Sequence, residues 1–337
     1  MKKTLVRILF SIILITGSIS LVFAWGMYGH QHINHAAIFA LPVEMRFFFY
    51  NHIDFVTEES TVPDLRKYTI NDRAEGPRHY INIEGMETMP IDSFPRTMKD
   101  ARAKYDEKTL NKMGLLPWYI QDMEDKLTKA FKDKRKTEIL FLAADLAHYL
   151  GDANMPLHTA LNHDGQLTNQ KGIHSFFEAQ LPEYFGDSYN YKVNDAVYLN
   201  DVPGATWELI KHSNSLVDTL LLIERNLKAI FPAEKMFKMD SNGDTVKNKF
   251  GLPTRSNEYA EAYHKALNGM VEKQLRHAIQ DVANFWYTAW VNAGKPDLSD
   301  LDPEELTKSN HDRYEKEMKL LEKGELMGFK VEKEYDK

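Results

Sequence analysis

Apolar residues recur at helical rather than alternating spacing along most of the chain. Tyr28 to Leu41 reads as a first helix, and Pro42 opens a second that carries Phe47, Phe48, Phe49 and Tyr50. Thr61-Val62-Pro63-Asp64 breaks it, with Asp64 in or beside the break. A loop rich in Asn, Asp, Gly and Pro over residues 71–77 delivers Arg78-His79-Tyr80-Ile81-Asn82-Ile83, read as a short extended piece. Thr109 to Lys132 is helical again, and the run from Thr137 continues through His148 and Asp152 until Pro156 stops it. A polar loop over 162–172 leads to a helix opening at Ile173. Further helices are predicted over about 206–230 and, the longest, from Asn257 to Asn292, where Phe285, Trp286, Tyr287 and Trp290 supply core bulk. Strand-like alternation is nearly absent. The pattern predicts an all-α fold, an irregular multi-helix bundle.

The two ends depart from this pattern. Lys2, Lys3 and Arg7 precede an apolar run from Ile8 to Phe23 that closes on the small-residue site Val22-Phe23-Ala24. Residues 1–24 are therefore expected to be a cleavable secretory signal, leaving Trp25 first in an exported, periplasmic or extracellular protein with no stable membrane span. Residues 25–297 are expected to form one domain. From 298 to 337 Asp, Glu and Lys dominate, predicting a charged, solvated tail with one surface helix over about 304–322.

Composition adds two constraints. The 337 residues include no cysteine, so no disulfide contributes to stability. Formal charge is −7, and the first 24 residues hold three of the positive charges, so the remainder is more acidic still. That balance argues against tight, sequence-independent binding of duplex nucleic acid. It leaves room for a metal centre that attracts a phosphate. No obligate protein partner is inferred.

The chemistry concentrates in a few of the thirteen histidines. His148 and Asp152 are four apart and share a helix face, and His158 follows the proline turn. His174 and Glu178 repeat that spacing. Imidazole nitrogen and carboxylate oxygen are the usual cysteine-free donors for zinc, so two such pairs with a histidine between them point to more than one ion. Freed by cleavage, the Trp25 amine and carbonyl can chelate an ion that His30 also reaches. His35, His52, His163, His212, His264, His277 and His311 lack a partner at ligand spacing and are read as structural, and His32 points elsewhere on its helix. Asp240-Ser241-Asn242-Gly243-Asp244 opens like a calcium loop, but Thr245 stands where glycine is required and no glutamate closes it, so it is read as a polar turn.

The ordered set Trp25-Gly26-x-x-Gly29-His30, Asp64, Arg78-His79-Tyr80-Ile81, His148-x3-Asp152-x5-His158 and His174-x3-Glu178 resembles the zinc-dependent phospholipase C and single-strand-specific zinc nuclease superfamily. The resemblance spans about Trp25 to Trp290 and implies an all-α fold with three zinc ions at the bottom of a cleft. It implies one zinc on the Trp25 amine and carbonyl, His30 and Asp152. A second would sit on His79, His148 and Asp152, with Asp64 as ligand or catalytic base. The third would sit on His158, His174 and Glu178. Asp152 would bridge the first two.

The implied activity is hydrolysis of a phosphoric ester by metal-activated water, with phospholipid as the first expected substrate and single-stranded nucleic acid as the second. Glu178 is the phospholipase-like choice at the last ligand, where the nucleases show Asp. The segment 78–82 is closer to the nucleases, with Tyr80 and Asn82 as substrate-binding candidates, although Asn82 replaces the acid of their base pocket. Arg66 or Lys67 can serve as the basic residue the nucleases carry after the Asp64 position. A secreted helical protein with purely structural zinc is the non-enzymatic alternative.

Overall fold

A computed structural model describes residues 25–70, 72–85, 90–248, 251–302 and 308–335; the expected signal at 1–24 lies outside them. These residues form an all-α protein, with β-type pairing among them confined to isolated bridges such as Phe237 to Arg255 and Lys247 to Pro253. No described helix is long and apolar enough to cross a membrane.

The helix Lys136–Ala153 is the centre of the architecture. It packs against Gly26–Ala40, Ile53–Glu59, Leu116–Lys132 and Met270–Asn292. Its last two turns, from Leu146 to Ala153, are buried on every side, as a helix surrounded by others must be. Trp286 anchors one flank. Its ring stacks on Phe49 at 4.9 Å and 4°, and its indole N–H donates to the Ala143 carbonyl at 3.0 Å. That bond satisfies the one polar atom of a fully buried side chain. Phe285 and Trp290 are buried with it as expected, while Tyr287 is partly buried against the same core.

Several long helical runs in the sequence are broken. The stretch 109–132 divides at Gly114, whose φ of 96° ends Glu107–Met113 before Leu116–Lys132 begins. The run 257–292 divides into Asn257–Ala266 and Met270–Asn292, because Asn268 and Gly269 both take positive φ, 50° and 78°. The run 206–230 becomes Val202–Ser215 and Val217–Ile230. Asp64 lies in the first turn of its own helix, Val62–Tyr68, with Pro63 beside it where a missing N–H costs least. Only some of 78–83 is extended: His79 ends a 3-10 turn, Gly76–His79, and another, Ile83–Gly85, follows. In the polar turn at 240–244, Asp240 Oδ1 accepts the N–H groups of Asn242 and Asp244 at 2.8 and 2.9 Å.

The C-terminal segment is not the solvated tail its composition suggests. On Lys308–Leu321, the buried Glu317 accepts the Tyr50 hydroxyl at 2.9 Å and lies 3.4 Å from His35 Nε2. Further on, Phe329 stacks on His35 at 4.6 Å. The Glu183 carboxylate accepts the N–H groups of Glu334 and Tyr335 at 3.0 and 2.6 Å, and Tyr335 is buried. A few anchoring side chains, diluted among many charges, dock the segment onto the first helix and the helical stretch 173–185.

Candidate metal centre

The end of Lys136–Ala153 places His148 Nε2 3.4 Å from Asp152 Oδ2, the contact expected of an i, i+4 pair. Pro156–Thr159 then turns back through a 3-10 helix. His158 is locked to the His79 segment twice: the Ile81 N–H donates to the His158 carbonyl at 2.9 Å, and His158 Nδ1 lies 2.6 Å from the His79 carbonyl. His79 Nδ1 thereby sits 2.9 Å from Asp152 Oδ2, 3.1 Å from His148 Nε2 and 3.7 Å from Asp64 Oδ1.

His30 enters from the first helix. Its ring stacks on His148 at 3.9 Å, and its Nε2 is 3.5 Å from Asp152 Oδ1. Gly151 makes this approach possible, since a Cβ there would lie 3.1 Å from His30 Cε1 and Nδ1. Gly29 acts in the same way beside Trp25, where a Cβ would come within 2.7 Å of the Trp25 Cβ. The Trp25 indole donates to the Gly151 carbonyl at 2.7 Å, and its backbone nitrogen lies 3.3 Å from Glu178 Oε2.

Glu178 belongs to a π-helical turn, Phe176–Gln180, a widened geometry frequent at functional sites. His174 Nε2 is 3.0 Å and His158 Nε2 3.6 Å from Glu178 Oε2, and the two imidazole nitrogens are 3.2 Å apart. Three groups of donor atoms result, each within 4.8 Å: His30, His148 and Asp152; Asp64, His79 and His148; His158, His174 and Glu178. His148 is the residue common to the first two groups, whereas Asp152, the bridge that the resemblance implies, belongs to the first and reaches the second through its Oδ2 contact with His79 at 2.9 Å. Tyr80 and Asn82 are not drawn into these groups. They stay half-buried and donate to the carbonyls of Asn111 and Lys112 at 3.3 and 3.2 Å.

A backbone carbonyl can only accept, so each ring nitrogen facing one carries the proton. His148 Nδ1 faces the Ser60 carbonyl at 2.7 Å, His158 Nδ1 that of His79, and His174 Nδ1 that of His163 at 2.9 Å. All three therefore turn Nε2 to the centre. His79 is reversed and offers Nδ1.

The donors are compatible with a borderline metal such as zinc, being all nitrogen and oxygen. Both nitrogens of His30, Asp152 Oδ1 and Glu178 Oε1 are buried without a hydrogen bond. Leaving such atoms unpaired costs about 1–3 kcal/mol each, and a cation among them removes that cost. Burial alone would raise Asp152, but His148 and His158 outweigh it and hold the carboxyl well below the usual range. Burial likewise opposes ionisation of Glu178, and His174 and His158 hold it down. Asp64 behaves oppositely: burial pushes it up to about 7 despite the pull of His79. Burial, with His148 adding to it, pushes His30 down to about 4, so the ring is neutral at pH 7 and one of its nitrogens is free to bind a cation. The His158–His174 side of the cluster is the more accessible, with the His174 side chain 13% exposed.

No family model matches the chain. A probable serine protease from Bradyrhizobium tropiciagri is 25% identical over a match that covers 33% of this chain and 20% of that protein. The chain thus matches about one fifth of that relative's length.

Proposed function

We propose that the chain is an exported zinc-dependent phosphoric ester hydrolase, phospholipase C-like in its preferred substrate. The observation that carries this reading is the convergence of three donor groups on one buried cluster, with the Trp25 nitrogen at its edge. His30, Asp152 and the Trp25 amine and carbonyl would hold one zinc. His79, His148 and Asp152 would hold a second, with Asp64 as ligand or neighbouring base, and His158, His174 and Glu178 a third. When bound, such ions supply Lewis acidity and lower the pKa of coordinated water toward neutrality.

The chain's own groups supply the rest. Asp64 Oδ1, 3.7 Å from His79 Nδ1, is placed to orient a water held there or to accept its proton. The carbonyls of Ser60, His79 and His163 hold three imidazoles in fixed orientation, so no reorganisation is needed as charge develops. Tyr80 offers a partly exposed aromatic ring on the segment that follows His79. That ring favours single-stranded nucleic acid as the second substrate class, because every base can stack.

The protease-named relative suggests hydrolase chemistry at most. His35 does lie between Thr57 Oγ1 at 3.3 Å and Glu317 Oε1 at 3.4 Å, in the order nucleophile, base, acid. All three are buried and Phe329 stacks on the imidazole, so a peptide bond has no approach.

The test uses zinc-loaded protein beginning at Trp25, given phosphatidylcholine vesicles and single-stranded DNA side by side. Release of phosphocholine is the expected outcome. Cleavage of DNA alone would move the assignment to the nuclease reading. Activity on neither, with zinc bound, would leave only the structural role for the metal.

A further inference from the structure

Glu75 is a carboxylate with no solvent exposure, held by four neighbours. Its Oε2 accepts from Arg78 Nη1 at 2.9 Å and Arg66 Nε at 3.3 Å. Its Oε1 accepts the hydroxyl of Tyr149, the residue next to His148 on the central helix. The fourth neighbour is His79 Nε2, 3.4 Å from Oε1 and one helical turn further along the chain. His79 is also the histidine of the cluster that turns Nδ1 inward, and its outer Nε2 is buried without a hydrogen bond, with Glu75 Oε1 at ion-pair distance.

We propose that Glu75 is the positioning residue of the centre: it takes the Nε2 proton of His79, fixes the reversed tautomer and so presents Nδ1 to Asp64, His148 and Asp152. This inference rests on the metal-centre reading above. A carboxylate behind a histidine ligand sets its tautomer and ring angle and raises the basicity of the inner nitrogen. A carbonyl supplies the first two effects but less of the third, so the ion held by His79 has a charged support that His148, His158 and His174 lack. The guanidinium groups of Arg78 and Arg66, 2.9 and 3.3 Å from Oε2, balance the carboxylate charge from the side away from the cluster. Arg66 is itself fixed by Asp145, through bonds of 3.2 and 2.7 Å, which keeps the support rigid.

The test separates positioning from mere structure by reading the tautomer directly. Nitrogen-15 spectra of metal-free wild-type protein should show His79 protonated at Nε2, and Glu75→Ala should shift it toward Nδ1. Glu75→Gln, whose amide oxygen still accepts the proton, should restore the wild-type tautomer. In zinc competition against a chelator, Glu75→Ala should weaken one ion by roughly 10–100-fold and leave the others in place, with Glu75→Gln intermediate. A folded Glu75→Ala protein with unchanged tautomer and unchanged zinc retention overturns the proposal. If the alanine variant does not fold, Glu75→Gln decides: zinc affinity within twofold of wild type overturns it as well. Wild-type protein that binds no zinc but shows the Nε2 tautomer would sink the metal reading and leave the Glu75–His79 assignment standing.

Discussion

Asp152 has four imidazoles around it: His79 at 2.9 Å, His148 at 3.4 Å, His30 at 3.5 Å and His158 at 3.8 Å. Its two oxygens face two different donor groups, so Asp152→Ala should cost two zinc ions per chain, read by elemental analysis after dialysis. Loss of a single ion would correct that picture. His174 carries a different consequence. Burial lowers its pKa, but Glu178 more than compensates and holds it up at about 9 in the metal-free protein. A zinc ion entering the His158–His174–Glu178 group must therefore displace a proton at pH 7–8, and affinity there should rise with pH until about 9. Calorimetry in buffers of different ionisation enthalpy measures that proton, and His174→Ala should abolish its release. At this scale the sequence was informative because i, i+4 spacing survives as contact: His148 with Asp152 and His174 with Glu178 meet as their spacing implies. Glu75 escaped attention although Glu75-x3-His79 has the same spacing in reverse order. Its role depends on which way the His79 ring is turned, which no spacing encodes.

The elements position these residues through close approaches that only small side chains permit. Gly151 sits inside a helix, where alanine is ordinarily better by about 1 kcal/mol. A Cβ at that point presses on the His30 ring. Gly151→Ala should therefore weaken the ion held by His30 without a gain in thermal stability; a stabilised variant with full zinc content would show that the packing tolerates the methyl group. Helix existence was legible from apolar periodicity, and helix ends were not. The apolar pattern of 257–292 runs straight through Asn268 and Gly269, and only their positive φ values divide it. The π-helical turn that carries Glu178 is equally invisible, since its residues are those of an ordinary buried helix.

The whole molecule closes on itself through its C-terminal segment. Tyr335, Phe329 and Glu317 are three contacts in a stretch whose average composition reads as solvated, which is why composition misjudged it. Tyr335→Ala should cost about 2–3 kcal/mol by loss of a buried ring, seen as a lower midpoint in urea. An unchanged midpoint would mean the segment is loosely held in solution. Global stability should also respond to Asp281 on the long helix. Burial raises its carboxyl to about 6, against the Asn154 amide that donates to it at 3.0 Å. A folded pKa above the unfolded one contributes stability at low pH that is lost as pH rises from about 4 through 6. Asp281→Asn should remove that loss and be more stable than wild type at pH 7 by about 1–2 kcal/mol, with no advantage at pH 4.

The central claim is a polynuclear zinc centre completed by the nitrogen of Trp25. Elemental analysis of purified protein beginning at Trp25, compared with the same protein carrying one additional alanine before it, tests that claim most directly. The account predicts one zinc for each of the three donor groups in the first protein and a weakened or missing ion in the second. Fewer than two zinc ions in the first, or equal and equally tight binding in both, would contradict it.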